Sequence, residues 1–208
     1  MVPPAFLLSC PAFVVKLTSQ HCTACNQGGG FGHVVIASNT PIRMLTNNFS
    51  VALWVNPDEL VPDTDQVFIG NPQEGVGWVV SAFGERLKFT TWSVQDYISS
   101  GSALSNGVWT HVAVTINEGN DVQFYVDGQP FEALKPGNSP ANFGLLDTFL
   151  GTAGYDTYPY FGILDEVRVY NGVLTPAEVN ALAAIPEPAI AVLATAGLLC
   201  FLRRRRIG

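Results

Sequence analysis

Two carboxylates stand side by side at Asp165-Glu166 of this 208-residue chain. Carboxylate pairs are how many enzymes cut glycosidic bonds, one acid protonating the leaving oxygen while the other acts on the sugar ring or on water. The flanking Gly162-Ile163-Leu164 and Val167-Arg168-Val169-Tyr170 read as strand, however, and successive strand residues point to opposite faces, so the two acids are not expected to flank one substrate. The expectation is that one of them pairs with Arg168 or with neighbouring backbone. His21-Cys22-Thr23-Ala24-Cys25 offers three zinc-ligand types, but no second pair follows, and haem attachment wants His directly after Cys25, where Asn26 stands. The βαβ surroundings of a thioredoxin-like redox pair are also missing. His111 lies inside an alternating apolar run beside Trp109 and is expected to be packed or hydrogen-bonded, while His33 has no partner in the nearby sequence. No serine sits in a nucleophile-elbow motif, and Gly28-Gly29-Gly30 lacks the Lys and helix of a phosphate loop.

Aromatic side chains are the other candidates. Tyr155, Tyr158, Tyr160 and Phe161, interleaved with Gly151, Gly154 and Pro159, form a segment rich in flat surfaces. Such rings either stack on sugar faces, making Tyr155, Tyr158 and Tyr160 ligand-binding residues, or cap one end of a core. Charge excludes one class of partner. Residues 1–188 hold six basic and seventeen acidic side chains, a net charge of −11. A body of that sign repels phosphate backbones, so no nucleic-acid partner is expected.

The elements that must position these residues read as strands. From Phe31 onward apolar residues recur at every second position between turn residues. Expected strands cover 49–55, 67–70, 77–83, 87–92, 109–116, 122–126, 129–133, 149–151 and 162–170. Asp127-Gly128 between two alternating runs predicts a type I′ hairpin, both of whose central residues take positive φ. Thr175-Pro176-Ala177-Glu178 combines a capping hydroxyl, a proline for the first turn and a glutamate that reaches back, which predicts a short helix ending before Pro186. Many short strands with one late helix predict an all-β fold, a two-sheet antiparallel jelly-roll sandwich.

The chain's last two dozen residues differ in kind. Ala189–Leu202 is interrupted only by Thr195 and Gly197, and as a helix its 14 residues would extend roughly 21 Å, against a hydrocarbon core about 30 Å thick. Arg203-Arg204-Arg205-Arg206 acts as a stop that stays on the cytoplasmic side. Pro186-Glu187-Pro188, this apolar stretch and the four arginines, in that order, resemble the PEP-CTERM sorting signal of Gram-negative bacteria. The resemblance implies export, transient anchoring in the inner membrane, and recognition by an exosortase that cuts near Pro186-Glu187-Pro188, in organisms that make exopolysaccharide. Residues 1–26 read as an atypical or truncated leader, because they lack an early Lys or Arg and carry prolines in their apolar part. In an exported protein a disulfide between Cys22 and Cys25 is the plain alternative to a metal site.

The body, residues 27–184, also resembles a family, the laminin G-like, concanavalin A-like jelly rolls. The resemblance rests on Phe49-Ser50-Val51-Ala52-Leu53-Trp54-Val55 with Pro57, Trp109-Thr110-His111-Val112-Ala113, Val122-Gln123-Phe124-Tyr125-Val126-Asp127-Gly128, and Gly162 to Tyr170 followed by Leu174-Thr175. It implies a module that binds glycans or proteins. It also implies a structural calcium ion held by Asp165 with backbone carbonyls, since related sandwiches hold one this way. The chain departs from the family at its first strand, where Gly28 to His33 replaces a Phe-Asp-Gly turn and acidic pair, and it lacks the Glu-x-Asp-x-x-Glu run of laminarinase-type enzymes. The expected function is therefore an exported, non-catalytic binding module for exopolysaccharide or another envelope glycan or protein. The alternatives are a polysaccharide-active enzyme on the same sandwich and a purely structural matrix protein.

Overall fold

The computed structural model describes residues 12–17, 20–22, 33–37, 42, 45, 48–72, 77–92, 94–117, 121–134, 147–154 and 157–184, the backbone alone for 12–17, 20–22 and 133–134. In chain order the strands are β1 Ala12–Leu17, β2 Gln20–Cys22, β3 Val34–Ile36, β4 Phe49–Pro57, β5 Asp65–Gly70, β6 Trp78–Phe83 and β7 Arg86–Thr91. They continue with β8 Gln95–Ser99, β9 Thr110–Ile116, β10 Val122–Val126, β11 Gln129–Phe131, β12 Ala133–Leu134, β13 Thr148–Leu150 and β14 Gly162–Tyr170, and a single helix, α1 Pro176–Ala183, follows among the described residues.

The strands form two antiparallel sheets of seven. Sheet A runs β1-β14-β4-β9-β10-β11, with β2 also on β14, and sheet B runs β12-β8-β7-β6-β5-β13-β3. Alternation along each strand decides what faces inward. In β4 the inward set is Phe49, Val51, Leu53 and Val55, and it meets Phe68, Ile69, Trp78, Val80 and Phe89 of sheet B, each at most 1 % exposed. Phe49 stands 5.1 Å from Trp78 and 6.2 Å from Phe89, ring to ring. This is the jelly-roll sandwich.

The outer face of sheet A has its own small core. Ala52, Ala113, Tyr125 and Tyr170 point away from sheet B and are covered by Leu174 and by Val179 and Leu182 of α1. Local chemistry fixes the helix there. Thr175 accepts the Glu178 N–H while the Glu178 carboxylate takes the Thr175 N–H at 2.8 Å, the reciprocal cap expected from sequence. Ser50 Oγ anchors the approach, donating to Gly172 O at 2.8 Å and accepting from Leu174 N at 2.9 Å. The β10–β11 turn has Asp127 at φ 48 and Gly128 at φ 78, as the hairpin signal requires. A Cβ on Gly128 would sit 2.9 Å from Asn180 Cα, so α1 rests directly on that turn.

The strands begin upstream of residue 27, where the sequence reading set the domain boundary. β1 pairs with β14 through Ala12↔Tyr170 and Leu17↔Val167, and β2 through Cys22↔Gly162, so residues 12–17 and 20–22, within the segment read as leader, take part in sheet A. Among the described residues no helix is long and apolar enough to cross a membrane, and residues 185–208, including the expected span, lie outside them.

Candidate functional site

The outer face of sheet B is where uncommitted chemistry collects. Along β6 and β7 the residues that alternate away from the core are Val79, Ser81 and Phe83, and Lys88 and Thr90, in the register Val79↔Thr90 and Ser81↔Lys88. Val67 of β5 lies opposite Ser81. At the centre Lys88 is 7 % exposed and donates to Asp65 at 2.9 Å, with Asp96 at 3.0 Å on its other side. Burial alone would lower its pKa, but the hydrogen bonds and charges of Asp65 and Asp96 outweigh that and shift it upward. Lys88 Nζ also lies 5.3 Å from the Phe83 ring centre. Fully engaged, this lysine fixes the middle of the face.

One end of the face carries two rings, Tyr158 exposed and Trp92 half-buried. Trp92 continues the outward set after Thr90, and its ring meets Tyr158 edge-on at 5.8 Å and 68°. Tyr158 is 40 % exposed and is held in place by backbone, its carbonyl accepting Val67 N–H at 3.0 Å. The loop closes on itself and on the sheet through Ala153 N to Thr157 O, Tyr160 N to Gly151 O and Gly151 N to Phe68 O. Tyr160 points the other way: it is 1 % exposed, in the core, edge-on to Phe68 at 5.0 Å, so its ring is not offered to a ligand. Tyr155 lies outside the described residues. Of the two described tyrosines named from sequence, Tyr158 is thus the one at the surface, and its partner Trp92 was missed. Outward parity two residues beyond Lys88-Phe89-Thr90 is the signal that identifies Trp92.

The other end is a cleft of about 390 Å³ between the β4–β5 loop and the β6–β7 turn, lined by Pro62, Asp63, Phe83, Glu85, Arg86 and Ser102 among others. Its walls are cross-braced: Glu85 O accepts from Ala103 N and Leu104 N, Val61 N donates to Gln66 Oε1, and Gln66 Nε2 donates to Glu59 O.

The acid pair behaves differently from the expectation. β14 carries a bulge where Asp165↔Trp54 and Arg168↔Ala52 set two residues against one, and Glu166 takes φ 50. Leu164, Val167 and Val169 all face the core, so Asp165 and Glu166 both turn outward on sheet A. The opposite-face argument fails for this reason. The carboxylates are nevertheless committed. Glu166 is ion-paired with Arg168, and Asp165, 5 % exposed, accepts Glu166 N–H at 2.7 Å. Among the described residues no group of three His, Cys, Asp or Glu side chains is placed to hold a metal ion, so a calcium ion at Asp165 would draw its other ligands from backbone carbonyls.

His111 lies beside this pair, opposite Trp54 in the ladder and edge-on to its ring at 5.4 Å. It is 2 % exposed, its backbone N–H donates to Asp127 Oδ1 at 2.9 Å, and its Nδ1 has no hydrogen-bond partner. Burial, with the Arg168 charge adding to it, lowers its pKa to about 4. It is therefore a neutral, packed ring at pH 7. His33 stands 6.2 Å from Phe149 at the far edge of sheet B. Cys22 ends β2, and the expected pairing with Cys25 lies outside the described residues, as do Pro186, Glu187, Pro188 and Arg203 to Arg206.

Residues 28–180 match a family model of laminin G type, described as concanavalin A-like lectin/glucanases superfamily. Among solved structures the chain is similar to domain 4 of AbnA, an extracellular arabinanase from Geobacillus stearothermophilus, in complex with arabinotriose, at 21 % identity and TM-score 0.56 over 80 % of this chain and 87 % of that one. It is also similar to the binding domain of Paraclostridial Mosquitocidal Protein 1, at 16 % identity and TM-score 0.57, over 84 % of this chain but 47 % of that one. A structure of botulinum neurotoxin type C, whose cell entry depends on two ganglioside molecules, matches at 14 % identity and TM-score 0.58, over 83 % of this chain and 44 % of that one. The chain thus spans the arabinanase domain almost whole and less than half of either toxin structure. No curated protein sequence matches it.

Proposed function

The chain belongs to the laminin G type of the concanavalin A-like lectin/glucanases superfamily, and from that membership we propose that it is a non-catalytic binding module for an exopolysaccharide or another envelope glycan. The observation that carries this reading is the Trp92–Tyr158 pair, two rings set edge to face beside a braced loop, with Tyr158 at the surface. Rigid aromatic surface costs little ordering entropy on binding and suits the apolar faces of sugar rings. The arabinotriose complex of the arabinanase domain and the gangliosides of the toxin support a saccharide ligand. An enzymatic reading is disfavoured because both candidate carboxylates are engaged within the fold and His111 is packed beneath the surface. A purely structural matrix protein would show no saturable binding.

The test is binding of the full-length protein to polysaccharide purified from the producing cells, wild type against Trp92→Ala and Tyr158→Ala. Aromatic anchors of this kind carry about 2 kcal/mol or more, so each variant is expected to lose at least tenfold in affinity. Unchanged binding in both variants would reject the aromatic face as the site.

The proposed address is the cell surface or surrounding matrix, reached through export, transient anchoring by 189–202 and exosortase processing. The order Pro186-Glu187-Pro188, apolar stretch, Arg203 to Arg206 supports it. Intact mass of the protein from cells with and without the exosortase is expected to show loss of the tail near Pro188 in the first alone. A product ending at Gly208 in both removes the sorting proposal.

A further inference from the structure

Among the lysines and arginines whose side chains are described, the cleft at the other end of the face from the aromatic pair holds the one that takes part in no ion pair. Lys88 is bound to Asp65 and Asp96, and Arg168 to Glu166, whereas Arg86 has no such partner among the described residues. Asp63 and Glu85, also lining the cleft, form no ion pair among the described residues either. Two carboxylates and a guanidinium sharing one opening without neutralising one another leave acceptors and forked donors available to a ligand. The Phe83 ring supplies an apolar wall and the Ser102 hydroxyl a further polar group. With one ring beside exposed hydrogen-bonding groups, the cleft of about 390 Å³ is large enough to take a small ligand.

The shape is set before any ligand arrives. Asp63 adopts φ 51 and Gly84 φ 57, so both turns that form the walls are fixed in left-handed backbone. A Cβ on Gly84 would come 3.6 Å from Pro62 Cα, which shows how closely the two walls approach at the base. The double acceptance at Glu85 O ties the 103–104 backbone to the same turn.

Charge selects the class of ligand. The three charged groups give the cleft a net charge of −1, and Asp65 and Asp96 outnumber Lys88 on the adjoining face. The surrounding body is itself strongly acidic. A uronic acid or sulfated sugar would bring like charge into this field, whereas a neutral sugar presents hydroxyls that both donate to carboxylates and accept from a guanidinium. We propose that the cleft lined by Asp63, Phe83, Glu85 and Arg86 is a binding site for one residue of a neutral glycan, separate from the Trp92–Tyr158 pair. The two sites are the ends of one sheet face: from Phe83 to Gly77, level with Trp92, is about 20 Å of strand. This rests on the module being a glycan binder, and not on the aromatic pair being its contact.

The experiment is ligand-observed saturation-transfer NMR on the full-length protein in lipid nanodiscs, with arabinotriose and cellotetraose as neutral probes and trigalacturonate as the anionic one. Arg86→Ala and Asp63→Asn, the latter keeping a residue that tolerates positive φ, are compared with Trp92→Ala. The expected result is saturation of the neutral probes that falls at least fivefold in both cleft variants, with trigalacturonate weaker than either neutral probe. Saturation lost in Trp92→Ala and unchanged in both cleft variants overturns the cleft and leaves the aromatic face. Trigalacturonate saturated as strongly as the neutral probes overturns the charge argument. Saturation of none of the three, together with no binding to the cells' own polysaccharide, overturns the glycan reading as a whole.

Discussion

Acid should destabilise this protein through one residue, His111, in a way that a single substitution isolates. The imidazole is neutral in the folded chain because burial and Arg168 lower its pKa to about 4, against 6.5 in the unfolded chain. Between those values the unfolded chain binds a proton that the folded one refuses, so the contribution is complete above pH 6.5 and is lost as the pH falls from 6.5 toward 4. A separation of about 2.5 units corresponds to about 3 kcal/mol across the whole window, of which about 2 kcal/mol is lost between pH 7 and pH 5. The charged groups around the ring are Arg168, Glu166, Asp165 and Asp127, and because they are present in both proteins compared their titration cancels. His111→Phe keeps a ring against Trp54 and removes the titrating group. The assay is urea unfolding followed by tryptophan fluorescence at pH 5, 6 and 7, with the wild-type minus variant free energy plotted against pH. The difference should fall by about 2 kcal/mol from pH 7 to pH 5. Parallel profiles, or a His111 pKa near 6.5 measured directly by NMR in the folded protein, would refute the reasoning.

Two further outcomes test the outer face of sheet A. Gly128→Ala places a Cβ 2.9 Å from Asn180 Cα at φ 78, and thermal unfolding should show a loss of about 1 to 3 kcal/mol, with α1 losing hydrogen-exchange protection first. Thr175→Ala removes the acceptor for Glu178 N–H and should cost about 1 kcal/mol, which Thr175→Ser largely restores.

What could be read in the sequence follows from how local its causes are. The β9–β10–β11 run was legible because alternation and Asp127-Gly128 both act within a few residues, and α1 because Thr175, Pro176 and Glu178 are sufficient to start a helix. The bulge in β14 was not, since it sets a non-glycine residue at positive φ and arises from register against β4, which no neighbour of Glu166 announces. That one slip moved Glu166 to the face of Asp165. β8, β12 and the upstream β1 and β2 are short or lack clear alternation, and pairing with distant strands defines them. In the 151–161 loop, alternation stops, and only the fold sends Tyr160 inward and leaves Tyr158 outside. The cleft was invisible because it joins the 60–63 loop, the 83–86 turn and Ser102, segments related only through the sheet.

The place of β14 in sheet A bears on mechanics. It is an interior strand, laddered to β4 on one side and to β1 and β2 on the other, and α1 follows it directly before residue 185. If the tail is the tether, a pull from the membrane reaches α1 first, and its small apolar contact with the sheet yields before any strand does. The next element to feel tension cannot be unzipped one hydrogen bond at a time from a free edge. It would have to part from two ladders at once, so under such a pull the helix would act as a breakable link that spares the sandwich.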